Sequence, residues 1–211
     1  MVASRMPDET DFTRPKRPVA LSLVSGRGHY ETVIDAVRKA RRSVWIGTAN
    51  LKELMVEDET LVPGRRRRGT SGSFRSVLEI FADLATRGVE LRILHATLPS
   101  RPFREEFDRH AVLVEGGLEL RLCPRVHLKT VVVDGAFVYL GSANWTGAGL
   151  GAKGEGRRNF ELGVVTDDDG MLDDVQALFD HVWSGRACAG CRLRDECEDP
   201  IDGYADAPRE E

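Results

Sequence analysis

The sequence predicts an α/β domain, a mixed β-sheet flanked by helices, on three observations. Short β-branched runs alternate with stretches of helical period, the pattern of a sheet covered by helices. Turn signals separate the runs. With 211 residues, 41% of them hydrophobic, the chain can bury one sizeable core, and its length argues against several independent domains.

The elements follow in order. Residues 19–24 read as a strand, and 30–41 as a helix with Val33, Ile34, Val37 and Ala40 on one face. Residues 43–48 (Ser-Val-Trp-Ile-Gly-Thr) form a buried strand. Residues 51–72 lack periodicity and carry Pro63 and several glycines, which predicts a long loop of the kind that often carries function. A helix over 74–86 places Val77, Leu78, Phe81, Leu84 and Ala85 together and ends at Gly88, a C-cap residue. A strand over 89–94 follows, then a break at Pro99 and Pro102, a short helix reaching His110 and a strand over 118–122. Strands over 130–133 and 137–140 flank the turn dipeptide Asp134-Gly135. A glycine-rich loop over 147–158, a strand over 160–166 and a helix over 171–183 complete the domain. Trp45-Ile-Gly-Thr-Ala-Asn50 echoes Tyr139-Leu-Gly-Ser-Ala-Asn144, but no His-x-Lys precedes the first copy, so the echo is read as coincidence.

The expected organisation is a flexible tail over 1–18, a domain over 19–185, and a cysteine-rich acidic tail over 186–211. Residues 1–18 hold no apolar run of signal-peptide length, and no stretch approaches the roughly 20 apolar residues of a membrane span, so the expected location is cytoplasmic. The formal charge is −4. From Gly190 onward, eight acidic residues face three arginines, a net of −5, which leaves the rest of the chain at about +1. Within that body, Arg65, Arg66, Arg67 and Arg68, followed by Arg75, create a local positive field suited to phosphates.

His127-Leu-Lys129 places an imidazole and an ammonium two residues apart, on one face if the backbone is extended. Ser142 and Asn144 repeat that spacing after a second strand. Glu161 lies on a third, where a carboxylate could hydrogen-bond the imidazole and fix its tautomer. Phosphodiester cleavage needs a nucleophile, a proton donor for the leaving oxygen, and donors around the phosphoryl oxygens. These residues supply every part except a second acid.

The segment Val126-His-Leu-Lys-Thr-Val-Val-Val-Asp-Gly-Ala-Phe-Val-Tyr-Leu-Gly-Ser-Ala-Asn144 resembles the His-x-Lys-x4-Asp-x6-Gly-Ser-x-Asn signature of the phospholipase D superfamily. Arg158-Asn-Phe-Glu161 resembles its downstream Asn-x-Glu element, with Asn159 expected on the substrate side. The resemblance implies a phospholipase D-like fold and attack on phosphorus by one histidine, with a phosphohistidine released by water and a second histidine acting as acid. His127 would then be nucleophile or acid, Lys129, Ser142 and Asn144 would hold phosphoryl oxygens, Glu161 would orient His127, and Asp134 would support from further away. No metal or other cofactor is implied for catalysis.

Of His29, His95, His110, His127 and His181, only His127 opens a His-x-Lys. The chain therefore carries one motif. Single-motif members resemble small bacterial nucleases that complete the site across a homodimer, whereas lipid-cleaving members usually carry two motifs in a longer chain. The reading is a homodimeric phosphodiesterase acting on DNA or RNA. The alternatives are hydrolysis of phospholipids or another small phosphodiester, and a catalytically idle binding module. Trp145 to Arg158 is a longer spacer than the family pattern leads one to expect, and it could rim the site.

Cys188-x2-Cys191-x5-Cys197 clusters near the end, and Cys123 stands four residues before His127. In a chain without an export signal, Cys-x-x-Cys favours metal over disulfide, and the four cysteines match a closed thiolate site for zinc or an iron–sulfur cluster. The spacing resembles the iron–sulfur staple of some CRISPR-associated and recombination nucleases, which have a different fold. The expectation is one tetrahedral cluster stapling the tail beside the strand that precedes His127.

Overall fold

Thr130, Val131, Val132 and Val133 are all buried, a β-branched run apolar toward both faces, and such a run belongs in the middle of a covered sheet. The structure, a computed structural model, describes residues 10–57 and 74–204. Its strands are β1 (Ser22–Ser25), β2 (Ser43–Thr48), β3 (Met55–Glu57), β4 (Phe74–Ser76), β5 (Glu90–His95), β6 (Glu119–Leu122), β7 (Lys129–Val133), β8 (Phe137–Gly141) and β9 (Leu162–Thr166). Seven form one sheet in the order β1-β9-β8-β7-β2-β5-β6, with β7 central, while β3 and β4 make a separate ribbon. The pairs β2·β5 and β5·β6 are parallel and the others antiparallel, so the sheet is mixed.

Helices cover both faces. The helix over residues 27–38 (α1) is π-helical over Tyr30–Ile34. Together with α2 (Val77–Thr86), it packs Val33, Ile34, Phe81 and Leu84 into one core with Ile46, Ile93, Val131 and Val133. A short α3 (Arg101–Phe107) adds Phe103 to this side. On the other face α4 (Asp169–Trp183) lays Leu172 on Val132 and Val138, and Phe179 and Trp183 on Leu94 and Val126. Phe179 stacks between Trp45 at 5.3 Å and Trp183 at 5.5 Å. Alternation along β7 thus feeds two cores, each buried valine contributing about 1.5–3 kcal/mol.

Local chemistry sets the boundaries. Ser76 and Glu79 form a capping box at the start of α2, where the Leu78 N–H donates to Ser76 Oγ at 3.0 Å and the Ser76 N–H to Glu79 Oε1 at 3.1 Å. Gly88, at φ 80°, ends α2 as predicted, with the Val89 N–H bonded to Leu84 O and the Gly88 N–H to Ala85 O. Residues 74–76 are strand rather than the expected first turn of this helix. The register Met55↔Ser76, Val56↔Arg75 draws them into the ribbon with β3, itself placed inside the expected long loop. Arg65, Arg66, Arg67 and Arg68 lie outside the described residues, while Arg75 pairs with Asp83 at 2.6 Å and Glu79 at 3.6 Å.

α1 stops three residues short of expectation for a reason found on β7. The backbone N–H groups of Arg41, Arg42 and Ser43 donate to the Asp134 carboxylate at 2.7 to 3.1 Å instead of continuing a helix. Asp134 and Gly135 both have positive φ (56° and 61°), the signature of the tight hairpin turn the dipeptide predicts. Asp134 is the non-glycine residue with positive φ among those described, and its own side chain holds it there.

Candidate active site

Antiparallel pairing of β7 with β2 and β8, and of β8 with β9, brings the start of β7, the end of β8, the end of β2 and the start of β9 to one sheet edge. Lys129 opens β7 opposite Thr48, and exposed His127 sits two residues earlier on irregular backbone. Lys129 Nζ stands 3.0 Å from Nδ1, Nε2 and the backbone oxygen of His127. The same-side placement expected of the pair is present, although only Lys129 is on the strand.

Ser142 follows β8 directly, and Glu161 directly precedes β9 rather than lying on it. The Ser142 hydroxyl donates to Glu161 Oε2 and accepts from the Leu162 N–H at 3.1 Å, while Asn159 Nδ2 donates to Glu161 Oε1 at 3.0 Å. These contacts correct two expectations. Glu161 is hydrogen-bonded to Ser142 and Asn159 instead of to His127, because it leaves the sheet beside Ser142. Ser142 turns its one proton to this carboxylate instead of outward. Asn144 Oδ1 accepts from the backbone N–H groups of Ala49 and Asn50, each at 3.1 Å, which leaves its Nδ2 as the group able to donate. The two echoing segments therefore meet, at the ends of the strands on either side of β7. Asp134 lies at the opposite end of β7 and serves the turn.

Tyr139 forms the floor of this edge. Its fully buried ring lies so close to two glycines that a Cβ on Gly141 would meet its hydroxyl at 2.2 Å, and one on Gly163 its Cε2 at 2.3 Å. Burial pushes its phenol up to about 12, and its oxygen accepts from the Ala143 N–H at 3.3 Å. The Lys129 ammonium is lowered from the usual lysine range by burial, against the opposing charge of Glu161. The carboxylate thus acts on the lysine through the field rather than through a direct bond.

The family described as "Cardiolipin synthase, PLD-like domain" matches residues 33–183. The chain belongs to the phospholipase D-like family. Among solved structures, NucT from Helicobacter pylori superposes with a TM-score of 0.53 at 16% identity, covering 77% of this chain and 94% of its own. A phospholipase D family member, Nuc from Salmonella typhimurium, gives 0.53 at 18% identity, covering 78% and 95%. Polyphosphate kinase from Porphyromonas gingivalis shares the fold over 24% of its length, with a TM-score of 0.51 at 12% identity. No curated protein sequence matches the chain.

In this PLD-like domain, the groove beside His127 contains residues that the sequence reading missed. It encloses about 720 Å3 and is lined by His127, Arg125, His181 and Arg186 among others. Arg125 is exposed, and His181 Nδ1 is buried without a hydrogen-bond partner. These four basic or protonatable residues come from two short segments more than fifty positions apart in sequence, Arg125 with His127 and His181 with Arg186, which meet only when α4 packs back on the sheet. A clue was available in the helical spacing that aligns His181 with Leu178, also on the groove wall. The predicted arginine run, Arg65 to Arg68, lies outside the described residues; among the described ones, Arg125, Arg186 and His181 give the groove basic side chains.

All four cysteines are free thiols. Cys123, Cys188, Cys191 and Cys197 line one cavity, but among the described residues no three His, Cys, Asp or Glu side chains stand close enough to hold a metal ion as they are. The expected tetrahedral cluster is therefore not preassembled. No helix among the described residues is long and apolar enough to cross a membrane.

Proposed function

We propose that this PLD-like protein hydrolyses phosphodiester bonds in nucleic acid as a homodimer. The observation that carries the reading is the Lys129 ammonium held against the His127 imidazole at an edge that also gathers Asn144, Ser142 and Glu161. His127 attacks phosphorus, a P–N bond forms, and the P–O bond to the leaving group breaks. The partner subunit's His127 delivers a proton to the departing oxygen. Water then attacks the phosphohistidine, which releases a phosphomonoester and restores the imidazole. Lys129 Nζ and Asn144 Nδ2 donate to the non-bridging oxygens, where charge develops. Ser142 and Asn159 hold Glu161, whose charge favours the cationic form of Lys129.

One imidazole per chain leaves the mechanism short of an acid, and a two-fold axis supplies it. The surface such a mate would bury is available. Leu23, Phe160 and Leu162 are exposed at the β1–β9 corner, and the register Leu23↔Val164 puts Leu23 and Leu162 on one face. Phe160 is fully exposed between Asn159 and Glu161. Nucleic acid is favoured as substrate by Arg125 and Arg186 in the groove, which suit a run of phosphates better than a single headgroup.

The test is incubation of the purified full chain, without added divalent cations, with labelled single-stranded DNA, double-stranded DNA, RNA and phosphatidylcholine vesicles. Cleavage of nucleic acid that His127→Ala abolishes supports the reading. Cleavage of the lipid alone transfers the site to phospholipid hydrolysis, and activity that survives His127→Ala overturns the chemistry.

A further inference from the structure

The described part of the segment after α4 is held by local turns and side-chain contacts. Its backbone hydrogen bonds are local turns, such as Cys188 N–H to Gly185 O at 2.8 Å and Cys191 N–H to Cys188 O at 3.1 Å, and among the described residues no strand ladder ties it to the sheet. Its regular structure amounts to the short 3-10 turns Arg186–Cys188, Arg194–Glu196 and Ile201–Tyr204. Side chains add Arg194 to Asp202 at 3.1 Å and the burial of Ile201 against Phe179 and Trp183. Yet this segment brings three cysteines to a fourth on the sheet. Cys123 directly follows β6, where its N–H is anchored on His95 O at 2.8 Å, and it lines a cavity of about 30 Å3 with Cys188, Cys191 and Cys197. The rest of that lining is largely apolar, including Leu122, Val182, Pro200 and Ile201.

The backbone around these thiols has the form of a thiolate site. Cys188 to Cys191 is closed by the Cys191 N–H on Cys188 O, with Ala189 at φ −62°, ψ 115° and Gly190 at φ 73°. That is a type II turn with glycine where positive φ is required, and it sets the two Cys Cα atoms within about 7 Å of each other. Cys123 likewise opens a turn, closed by the Val126 N–H on Cys123 O at 2.9 Å with Pro124 in the second place. Arg125 and Arg194 line the same cavity as the four sulfurs. Two guanidiniums beside four sulfurs suit the dianionic charge that four thiolates and a divalent ion would leave.

We propose that Cys123, Cys188, Cys191 and Cys197 together bind a thiophilic metal centre, a zinc ion or an iron–sulfur cluster, that fastens the segment after α4 to the end of β6. Each thiol that binds gives its proton to solvent, and the sulfurs close onto the metal from their positions around the cavity. The centre is structural, with all four positions filled by protein. Its influence on the active site is by position: Ala189 and Gly190, inside the Cys188–Cys191 turn, line the groove that contains His127. The site stands apart from the phosphodiesterase reading, since its ligands are not the groups at the sheet edge.

Metal analysis of the full chain purified without oxygen tests it, with no readout of activity required. The expected result is about one zinc, or about four irons with matching acid-labile sulfide, per chain. The two metals distinguish the sources of the same thiolate chemistry. Titration of the native protein with a mercurial should release the metal in step with about four thiols, and Cys191→Ser should lose it. After metal removal, trypsin should cut at Arg192 and Arg194 at least tenfold faster. The titration uses the unaltered chain, so the proposal stays testable if Cys191→Ser does not fold. Protein without zinc or iron whose four thiols react freely in the native state, or a mass spectrum showing disulfides among them, overturns it.

Discussion

The Asp134 carboxylate accepts its shortest hydrogen bond, 2.7 Å, from the backbone N–H of Arg42, at the end of β7 remote from His127. The third member of the His-Lys-Asp motif is thus a fastener between the β7–β8 turn and the entry to β2. Burial would raise its pKa, but bonds from Ser43, Arg42 and Arg41 outweigh burial and lower it from the ordinary carboxylate value. A folded pKa below the unfolded one adds stability that is present in full above the ordinary carboxylate range and lost as pH falls through the folded value. Asp134→Ala should cost about 1–3 kcal/mol by stranding these donors. It should also flatten the acid limb of stability, while activity per folded molecule stays within about twofold. Denaturant titrations between pH 3 and pH 7, paired with active-site titration, check this. A large loss of turnover in fully folded protein would contradict the role.

Gly163 should tolerate no side chain. An alanine Cβ there would sit 2.3 Å from Cε2 of Tyr139, a ring that is fully buried and packed edge-on against His29 at 5.5 Å. Overpacking of this kind costs about 1–3 kcal/mol. Thermal unfolding should show Gly163→Ala clearly lowered and Gly154→Ala, which meets nothing within 4 Å, close to the parent. Equal stabilities would mean that the ring can move aside.

Much of this was legible in the sequence because it depends on near neighbours. The Thr130 to Val133 run, the Asp134-Gly135 turn and the Gly88 cap each follow from a few adjacent residues and came out as read. The partner of Glu161 was not legible, because it depends on where β9 begins and on a serine hydroxyl nineteen positions earlier that takes the place of a ladder acceptor. The β3–β4 ribbon escaped because strands of three residues have too little periodicity to register. The groove escaped because α4 assembles it from side chains scattered along the sequence.

Glu161 and Lys129 should be linked in the pH dependence of activity. Burial lowers the ammonium's pKa and the carboxylate's charge raises it, so Glu161→Gln removes the opposing charge and lowers the lysine further. The alkaline limb of kcat/KM should then shift to lower pH. Loss of the charge-assisted bonds to Ser142 and Asn159, worth about 1.5–3 kcal/mol, should cut the rate roughly ten- to a hundredfold. A purely structural role for Glu161 would lower activity at every pH without moving that limb, so the profile separates the two.

Phe160 tests the shared site most directly. Its ring is fully exposed beside Glu161, and with Leu23 and Leu162 it leaves an apolar corner of the sheet that no helix among the described residues covers. A second copy meeting that corner about a two-fold axis would bury three large side chains per subunit beside the very edge that needs a second imidazole. Phe160→Asp places a charge at the centre of such an interface and should weaken association by about 2–4 kcal/mol. Because the ring touches no core residue, the subunit itself should stay folded. Sedimentation should therefore show monomer where the parent is a dimer, with activity falling in proportion to the dimer fraction and recovering at high protein concentration. Mixing Phe160→Asp with His127→Ala chains should restore nothing, since each mixed site still has a repelling interface and one imidazole. A Phe160→Asp monomer with full specific activity at high dilution would show that one chain suffices, and His181, which lines the same groove as His127, would then be the first candidate for the missing acid.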